Sequence, residues 1–437
     1  MKISVLGTGY VGLVTGTCLA SIGHEVRCIE KNESKLAALQ RGEIPIFEPG
    51  LEDLAQKAVA AGRLSFSSWD DEVLNGSEMI FVAVGTPSTE TGNIDLSQIF
   101  EVARDLIAKV SNTLVVIKST VVPGTLLRLI ELQKELRPAS TLRFASNPEF
   151  LREGHAVEDF MAPERLVFGS IDSASAATLR KAHAPLIAAG SEVVDTTPTG
   201  AEMIKYTANC YLATRLSFFQ EIADLCEIVG ASYSEVARGT GLDGRIGPSF
   251  MKVGPGYGGS CFPKDTQALA AFARSLNTKL EVIEAAIATN DKRKGALAAR
   301  VAKSLGRPLS GVKVALLGLA FKADTDDIRE SAAIQLAEGL LKAGAIVSAH
   351  DPAAMSNARK VLPTLKLVPS AAAAISGADV LVIATEWKEF GALQPKAVSD
   401  AMAGRVIVDF RNMLKPQEFA RAGFAVHTIG EKPTLPV

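Results

Sequence analysis

The sequence has no surplus of either charge. In 437 residues, 46 Lys and Arg stand against 48 Asp and Glu, a formal net charge of −2. A protein that binds nucleic acid by bulk charge needs a basic excess to displace counterions, and here there is none. No uncharged apolar run reaches about 18 residues, so no membrane span is expected. The opening Met-Lys-Ile-Ser-Val-Leu-Gly reads as a strand and not as an export signal. Cysteine is scarce and odd in number: Cys18, Cys28, Cys210, Cys226 and Cys261, with no Cys-x-x-Cys pair. That argues against a disulfide framework, and a cytoplasmic location without a bound metal is the expectation. Four of the five lie in apolar patterns, where cysteine acts as a small hydrophobe; Cys261 does not.

What is present is globular: 47% hydrophobic and 22% charged residues, enough for two to four domains. Strands are predicted at 2–6, 25–30, 79–84, 114–118, 142–146, 166–168 and 193–195, mostly separated by helical segments. A second alternation has strands at 312–317, 346–350, 380–384 and 406–409. Such alternation predicts parallel sheets. Between the two sets, neither Pro nor Gly occurs from 201 to 229, which predicts one long helix. Thr199 is expected to cap it, with Glu202 completing a capping box. Tyr211, Leu212, Leu216, Phe218, Phe219, Ile222 and Leu225 make it apolar on more than one face. It should therefore be covered on several sides, between domains or against a second copy of the chain. Arg307-Pro308-Leu309-Ser310-Gly311 reads as a linker and Glu431 to Val437 as a loose tail. The fold class is α/β: two doubly wound, Rossmann-like domains (1–197 and 306–437) joined by a helical middle (198–305).

Gly7-Thr8-Gly9-Tyr10-Val11-Gly12 follows the first strand and opens a helix. In that context the glycines serve a tight turn, close approach to a pyrophosphate, and helix–strand packing. Glu30 ends the second strand, where a carboxylate holds the ribose 2′-hydroxyl and repels a 2′-phosphate, so NAD is favoured over NADP. The second alternation has only one turn glycine, Gly318, and is expected to bind something other than a dinucleotide or to act as a lid.

Gly254-Pro255-Gly256-Tyr257-Gly258-Gly259-Ser260-Cys261-Phe262-Pro263-Lys264-Asp265 is too rich in glycine for a packed core. It suits a loop whose amides approach a ligand, with Cys261 just before a helix that would lower its pKa. A structural thiol in a turn is the plainer alternative. Lys205 and Asn209 share a helix face, as solvated residues or as an oxyanion site. Asn147-Pro148-Glu149-Phe150-Leu151-Arg152-Glu153-Gly154 follows a strand and holds two acids in a turn, and Lys118-Ser119-Thr120 closes another strand with a hydroxyl where doubly wound folds bind ligands. Taken together, a hydride acceptor and a nucleophilic cysteine fit oxidation of an alcohol or aldehyde through an enzyme thioester.

These strings, with Gly85-Thr86-Pro87 and Gly318-Leu319-Ala320-Phe321-Lys322-Ala323-Asp324-Thr325, resemble the UDP-glucose/GDP-mannose dehydrogenase family from residue 1 to about 430. The resemblance implies a four-electron oxidation of UDP-glucose to UDP-glucuronate with two NAD. It implies catalytic roles for Cys261, Lys205, Asn209, Asp265, Glu149 and Thr120. NAD would be held by Gly7, Gly9, Val11, Gly12, Glu30, Lys35, Thr86, Thr120, Glu153, Lys264 and Arg329. The sugar nucleotide would meet Phe150, Leu151, Lys205, Asn209, Phe250, Met251, Lys252, Val253, Gly254, Gly258 and Lys322. Arg245 would reach the partner subunit's substrate, which implies at least a homodimer. GDP-mannose and UDP-N-acetylmannosamine oxidation are the rival substrates within the family. Outside it stand a cysteine-independent β-hydroxyacid dehydrogenase and a non-catalytic nucleotide-binding module.

Overall fold

The structure, a computed structural model, describes residues 1–437. The chain forms two compact units, residues 1–208 with 274–276 and residues 209–273 with 277–437.

The first unit is built on an eight-stranded sheet: β1 (Lys2–Leu6), β2 (Glu25–Ile29), β3 (Leu64–Ser67), β4 (Met79–Val82), β5 (Leu114–Ile117), β6 (Arg143–Ser146), β7 (Arg165–Ser170) and β8 (Glu192–Thr196). Their order is β3-β2-β1-β4-β5-β6-β7-β8. The central strands are apolar throughout because helices cover both faces. Phe81 and Val116 point into one core, and their neighbours Ile80, Val82, Val115 and Ile117 into the other. The expectation of wholly parallel pairing needs one correction: β6 and β7 are antiparallel. The intervening string has only a six-residue helix, Ala156–Met161, and re-enters the sheet from the end at which it left. Glu149 and Phe150 therefore stay at the carboxyl end of β6.

The second unit contains a parallel six-stranded sheet: β9 (Lys313–Leu317), β10 (Ile346–His350), β11 (Lys366–Leu367), β12 (Val380–Ile383), β13 (Val406–Asp409) and β14 (Ala425–Thr428). The order is β11-β10-β9-β12-β13-β14. Three strands escaped the sequence reading: β3, β11 and β14. All are edge strands, short and half-exposed, without the apolar run that marks a central strand.

The long helix runs Pro198–Val229, 32 residues. Its start differs from expectation. Pro198 occupies the first turn, where its missing N–H costs nothing. The cap is Thr197, whose hydroxyl accepts the Gly200 N–H at 3.1 Å. Glu202 does not turn back on its own helix. It accepts the Gly124 and Leu126 N–H groups at 2.6 and 2.9 Å, at the start of helix Thr125–Leu136. The tail expected to be loose is tied down as far as Thr434, while Leu435 and Val437 are exposed. Val426 and Thr434 exchange two backbone bonds of 2.9 Å, and Glu431 accepts the Ser232 hydroxyl at 2.8 Å. No helix is long and apolar enough to cross a membrane.

Candidate active site

In the first unit, Gly7 leaves β1 at φ +96°. A Cβ on Gly12 would collide with the Gly7 carbonyl, so the helix Tyr10–Ser21 can begin this close to the strand only with glycine there. In front of Gly9, no atom lies within 4 Å of where a Cβ would sit. The turn abuts Ala83, after β4, at the point where strand order reverses between β1 and β4. The Glu30 carboxylate accepts bonds from the Thr8 hydroxyl and from the Asn32 N–H at 2.9 Å, and it pairs with Lys35 at 3.1 Å. Burial pushes its pKa up, but the three donors outweigh burial and hold it below the usual carboxylate range. An open glycine cradle beside an ionised carboxylate fits the pyrophosphate and ribose of NAD. Val11 is half-buried in the first turn of the helix, and Thr86 is half-buried in the loop after β4.

At the carboxyl ends of β5 and β6 a second cluster forms. Lys205 donates to Glu149 Oε1 at 2.8 Å, with only 4% and 5% of the two side chains exposed. The Leu151 N–H donates to Glu149 Oε2 at 2.6 Å. Burial alone would raise the Glu149 pKa; Lys205, the Leu151 N–H and Lys118 reverse that and keep it low. Lys118 is itself buried, and its ammonium donates to Asn147 Oδ1 at 2.9 Å. Its pKa is lowered to about 8, by burial first and by Lys205 second, with Glu149 opposing. The Phe150 ring lies under Arg165 at 4.1 Å and Lys205 at 5.4 Å. Ser119 binds the Val84 carbonyl at 2.7 Å, which brings the Thr120 and Thr86 loops side by side. Glu153 is buried in the segment after β6 that also carries Glu149. The sequence reading passed over Glu48, which accepts the Gly154 and Ala156 N–H groups at 2.7 Å each and also the Tyr10 hydroxyl. A glutamate in a loop 41–50 carries no signal of such a tie.

In the second unit, the helix Phe262–Ser275 begins directly after Cys261. The Asp265 N–H donates to the Cys261 carbonyl at 2.8 Å, so Cys261 is the capping residue, immediately before the helix. Cys261 is half-exposed, with its sulfur 3.5 Å from the Ser260 hydroxyl, whereas the other four cysteines are buried. The unpaired N–H groups of a first turn favour an anion, and a thiolate is one. Asp265, 1% exposed, accepts Asn209 Nδ2 at 2.6 Å and Lys264 Nζ at 2.6 Å. Lys264 and Arg329, expected at the cofactor, both belong to this unit, where Arg329 pairs with Asp327 at 2.7 Å. Met251, Val253, Gly254 and Gly258 are buried, Lys252 is exposed, and Phe250 is exposed at φ +58°. Lys322 stands 5.6 Å from the Phe321 ring centre. Arg245 is 89% exposed and pairs with Asp243 at 2.6 Å.

The second sheet has a reason not to take a dinucleotide. Asp351, at the end of β10, accepts the Leu319 and Ala320 N–H groups at 2.7 and 3.0 Å. These amides follow Gly318 as the Gly7–Gly12 turn follows β1, and here a carboxylate of the chain itself engages them. Sequence reading also missed Arg411, which follows β13 and donates to the Phe321 and Ala384 carbonyls at 2.7 and 2.8 Å. Nothing in Asp-Phe-Arg-Asn marks it.

A glycine turn at a sheet switch point with an ionised carboxylate beside it defines a dinucleotide-binding domain of the oxidoreductase type. Residues 1–187 match the NAD binding domain, 199–292 the central domain and 315–416 the UDP binding domain of the UDP-glucose/GDP-mannose dehydrogenase family. The chain belongs to that family. It is 45% identical to the UDP-glucose 6-dehydrogenase of Rhizobium meliloti, covering 98% of this chain and 99% of that one. It is 41% identical to the UDP-glucose 6-dehydrogenase of Pseudomonas aeruginosa, over 98% and 97%. A UDP-glucose dehydrogenase structure from Pyrobaculum islandicum superposes with a TM-score of 0.90 at 36% identity, over 98% of both chains.

Proposed function

We propose that the protein oxidises UDP-glucose at C6 to UDP-glucuronate, as a cytoplasmic homo-oligomer built on a dimer. The observation that carries the mechanism is Cys261 at the cap of helix Phe262–Ser275. The near full-length likeness to two UDP-glucose 6-dehydrogenases supports the choice of substrate. In this reading residues 1–197 hold NAD, 198–305 supply the cysteine loop and the dimer face, and 306–437 take the UDP moiety.

NAD supplies the hydride acceptor, and two per sugar account for the four electrons between a primary alcohol and a carboxylate. Val11, Thr86, Glu153, Lys264 and Arg329 would complete the cofactor contacts begun by the glycine turn, Glu30 and Lys35. Lys205 and Asn209, four residues apart on one helix, present an ammonium and an amide on one face. They hold the C6 oxygen as it gains charge. Glu149, ionised and bonded to Lys205, takes up and returns a proton. The Cys261 thiolate adds to the aldehyde carbon to form a thiohemiacetal, and loss of a further hydride and a proton leaves a thioester. Water positioned by Thr120 and Asp265 cleaves the C–S bond, restoring the thiol and releasing the carboxylate. Phe150, Leu151, the 250–254 stretch, Gly258 and Lys322 would line the sugar nucleotide, with Arg245 reaching the neighbouring subunit's substrate.

A panel of nucleotide sugars with NAD tests the reading. UDP-glucose should yield two NADH per sugar and outperform GDP-mannose and UDP-N-acetylmannosamine. Cys261→Ala should lower turnover by about 10³-fold or more, because both covalent catalysis and positioning are lost. If that variant keeps most of the rate and both NADH, the thioester mechanism is wrong.

A further inference from the structure

The loop that carries Cys261 has no helix or strand between residues 251 and 261. A glycine-rich segment of that kind is costly to order and must be fixed from outside. One face of the helix Glu281–Gly295 does so. Asn290, 2% exposed, accepts the Tyr257 N–H through Oδ1 at 2.9 Å and donates Nδ2 to the Tyr257 carbonyl at 3.0 Å. Arg293 Nε donates to the Gly254 carbonyl at 2.7 Å. The Lys294 stem lies against Gly256, and its ammonium pairs with Glu330 at 3.0 Å. Positions 290, 293 and 294 share a face because they are three and four residues apart.

Asn290 therefore pairs with Tyr257 as a neighbouring strand would, gripping both its N–H and its C=O. Two bonds fix the orientation of the backbone as well as its place. From Tyr257 the constraint passes to the cysteine. The Tyr257 ring meets the Phe262 ring edge-on at 6.1 Å, and the Gly259 N–H donates to the Arg329 carbonyl at 2.8 Å. A Cβ on Gly258 would collide with the Glu330 carbonyl. Cys261 lies between these fixed points and the helix it caps.

We propose that Asn290 is a positioning residue for Cys261, setting the thiol at the first turn of helix Phe262–Ser275, with Arg293 and Lys294 completing the clamp. The proposal rests on the reading of Cys261 as the nucleophile. Asn290→Asp tests it with little change in size: the carboxylate still accepts the Tyr257 N–H but cannot donate to its carbonyl. The full-length variant is compared with wild type for kcat, both KM values, NAD affinity and the rate of Cys261 alkylation by iodoacetamide, read by peptide mass. A misplaced thiol should lower kcat by roughly 10- to 100-fold and change the alkylation rate by about threefold or more. NAD affinity should change far less than kcat, since the bonds of the first unit's glycine turn are unaltered. A folded variant with kcat and alkylation both near wild type overturns the proposal. Should Asn290→Asp not fold, Lys294→Met keeps the stem over Gly256 and removes only the ion pair; it must still shift kcat and alkylation in the same manner, to a lesser degree. Cys261→Ala is run alongside. If it retains wild-type turnover, the nucleophile reading fails, while the alkylation rate still decides whether Asn290 places the thiol.

Discussion

Lys205 and Glu149 form an ion pair that neither partner could sustain alone. Both side chains are almost fully buried, and a lone buried charge is expensive. Lys205→Met leaves Glu149 without its main partner, so burial should push the carboxyl pKa up, opposed only by the Leu151 N–H and Lys118. Stability should fall by about 3–5 kcal/mol if the charge persists, and by less if it is protonated. On the proposed mechanism turnover should fall by about 10²-fold or more in either case, because the ammonium assigned to the developing oxyanion is gone. Adding Glu149→Gln should restore much of the stability and none of the rate. Denaturant unfolding and steady-state kinetics of the single and double variants check this. A double variant as active as wild type would show that the pair is only structural.

At the scale of elements, Glu202 on one helix caps another. Gly124 precedes helix Thr125–Leu136 and offers no side chain to its N–H groups, so the Glu202 carboxylate fills that place. Burial pushes the Glu202 pKa up to about 7, against the pull of its backbone donors. The folded chain thus binds a proton more tightly than the unfolded chain. This contribution to stability is full below the ordinary carboxylate pKa and is lost as pH rises through about 7. Glu202→Gln removes the titration. The stability of wild type relative to the variant should therefore fall by about 2–3 kcal/mol between roughly pH 4 and 8. Urea unfolding across that range measures the difference. A pH-independent difference would mean that Glu202 stays ionised in the fold.

At the scale of the whole molecule, the long helix presents an apolar stripe. Tyr211, Phe218 and Leu225, seven residues apart, are 60%, 55% and 52% exposed, and Ile228 and Val229 extend the line. A stripe of that spacing suits a second helix, and leaving it in water is costly. Phe218→Glu with Leu225→Lys should convert a dimer to a monomer in sedimentation. Mixing Arg245→Ala chains with Cys261→Ala chains should then recover partial activity only where subunits can exchange. A wild-type chain that sediments as a monomer at micromolar concentration would sink both expectations.

The amino-acid sequence by itself determined the elements and the chemistry they carry. Local patterns suffice for apolar central strands, a glycine turn after the first of them, an unbroken helix from 201 to 229 and a cysteine closing a glycine-rich loop. Tertiary structure decided whatever depends on residues far apart in the chain. Edge strands β3, β11 and β14 exist because a neighbour pairs with them, and the reversal of β7 follows from a connection with no long helix. Glu202 has the sequence of a capping box for its own helix, but folding gives it closer donors at Gly124 and Leu126. Asn290 and Arg411 are ordinary polar residues until their bonds to Tyr257 and to the Phe321 and Ala384 carbonyls form. A hydrogen bond across tens of residues leaves no periodicity to read. A candidate nucleophile such as Cys261 is thus legible in local order, whereas the bonds that fix the loop around it appear only once the chain has folded.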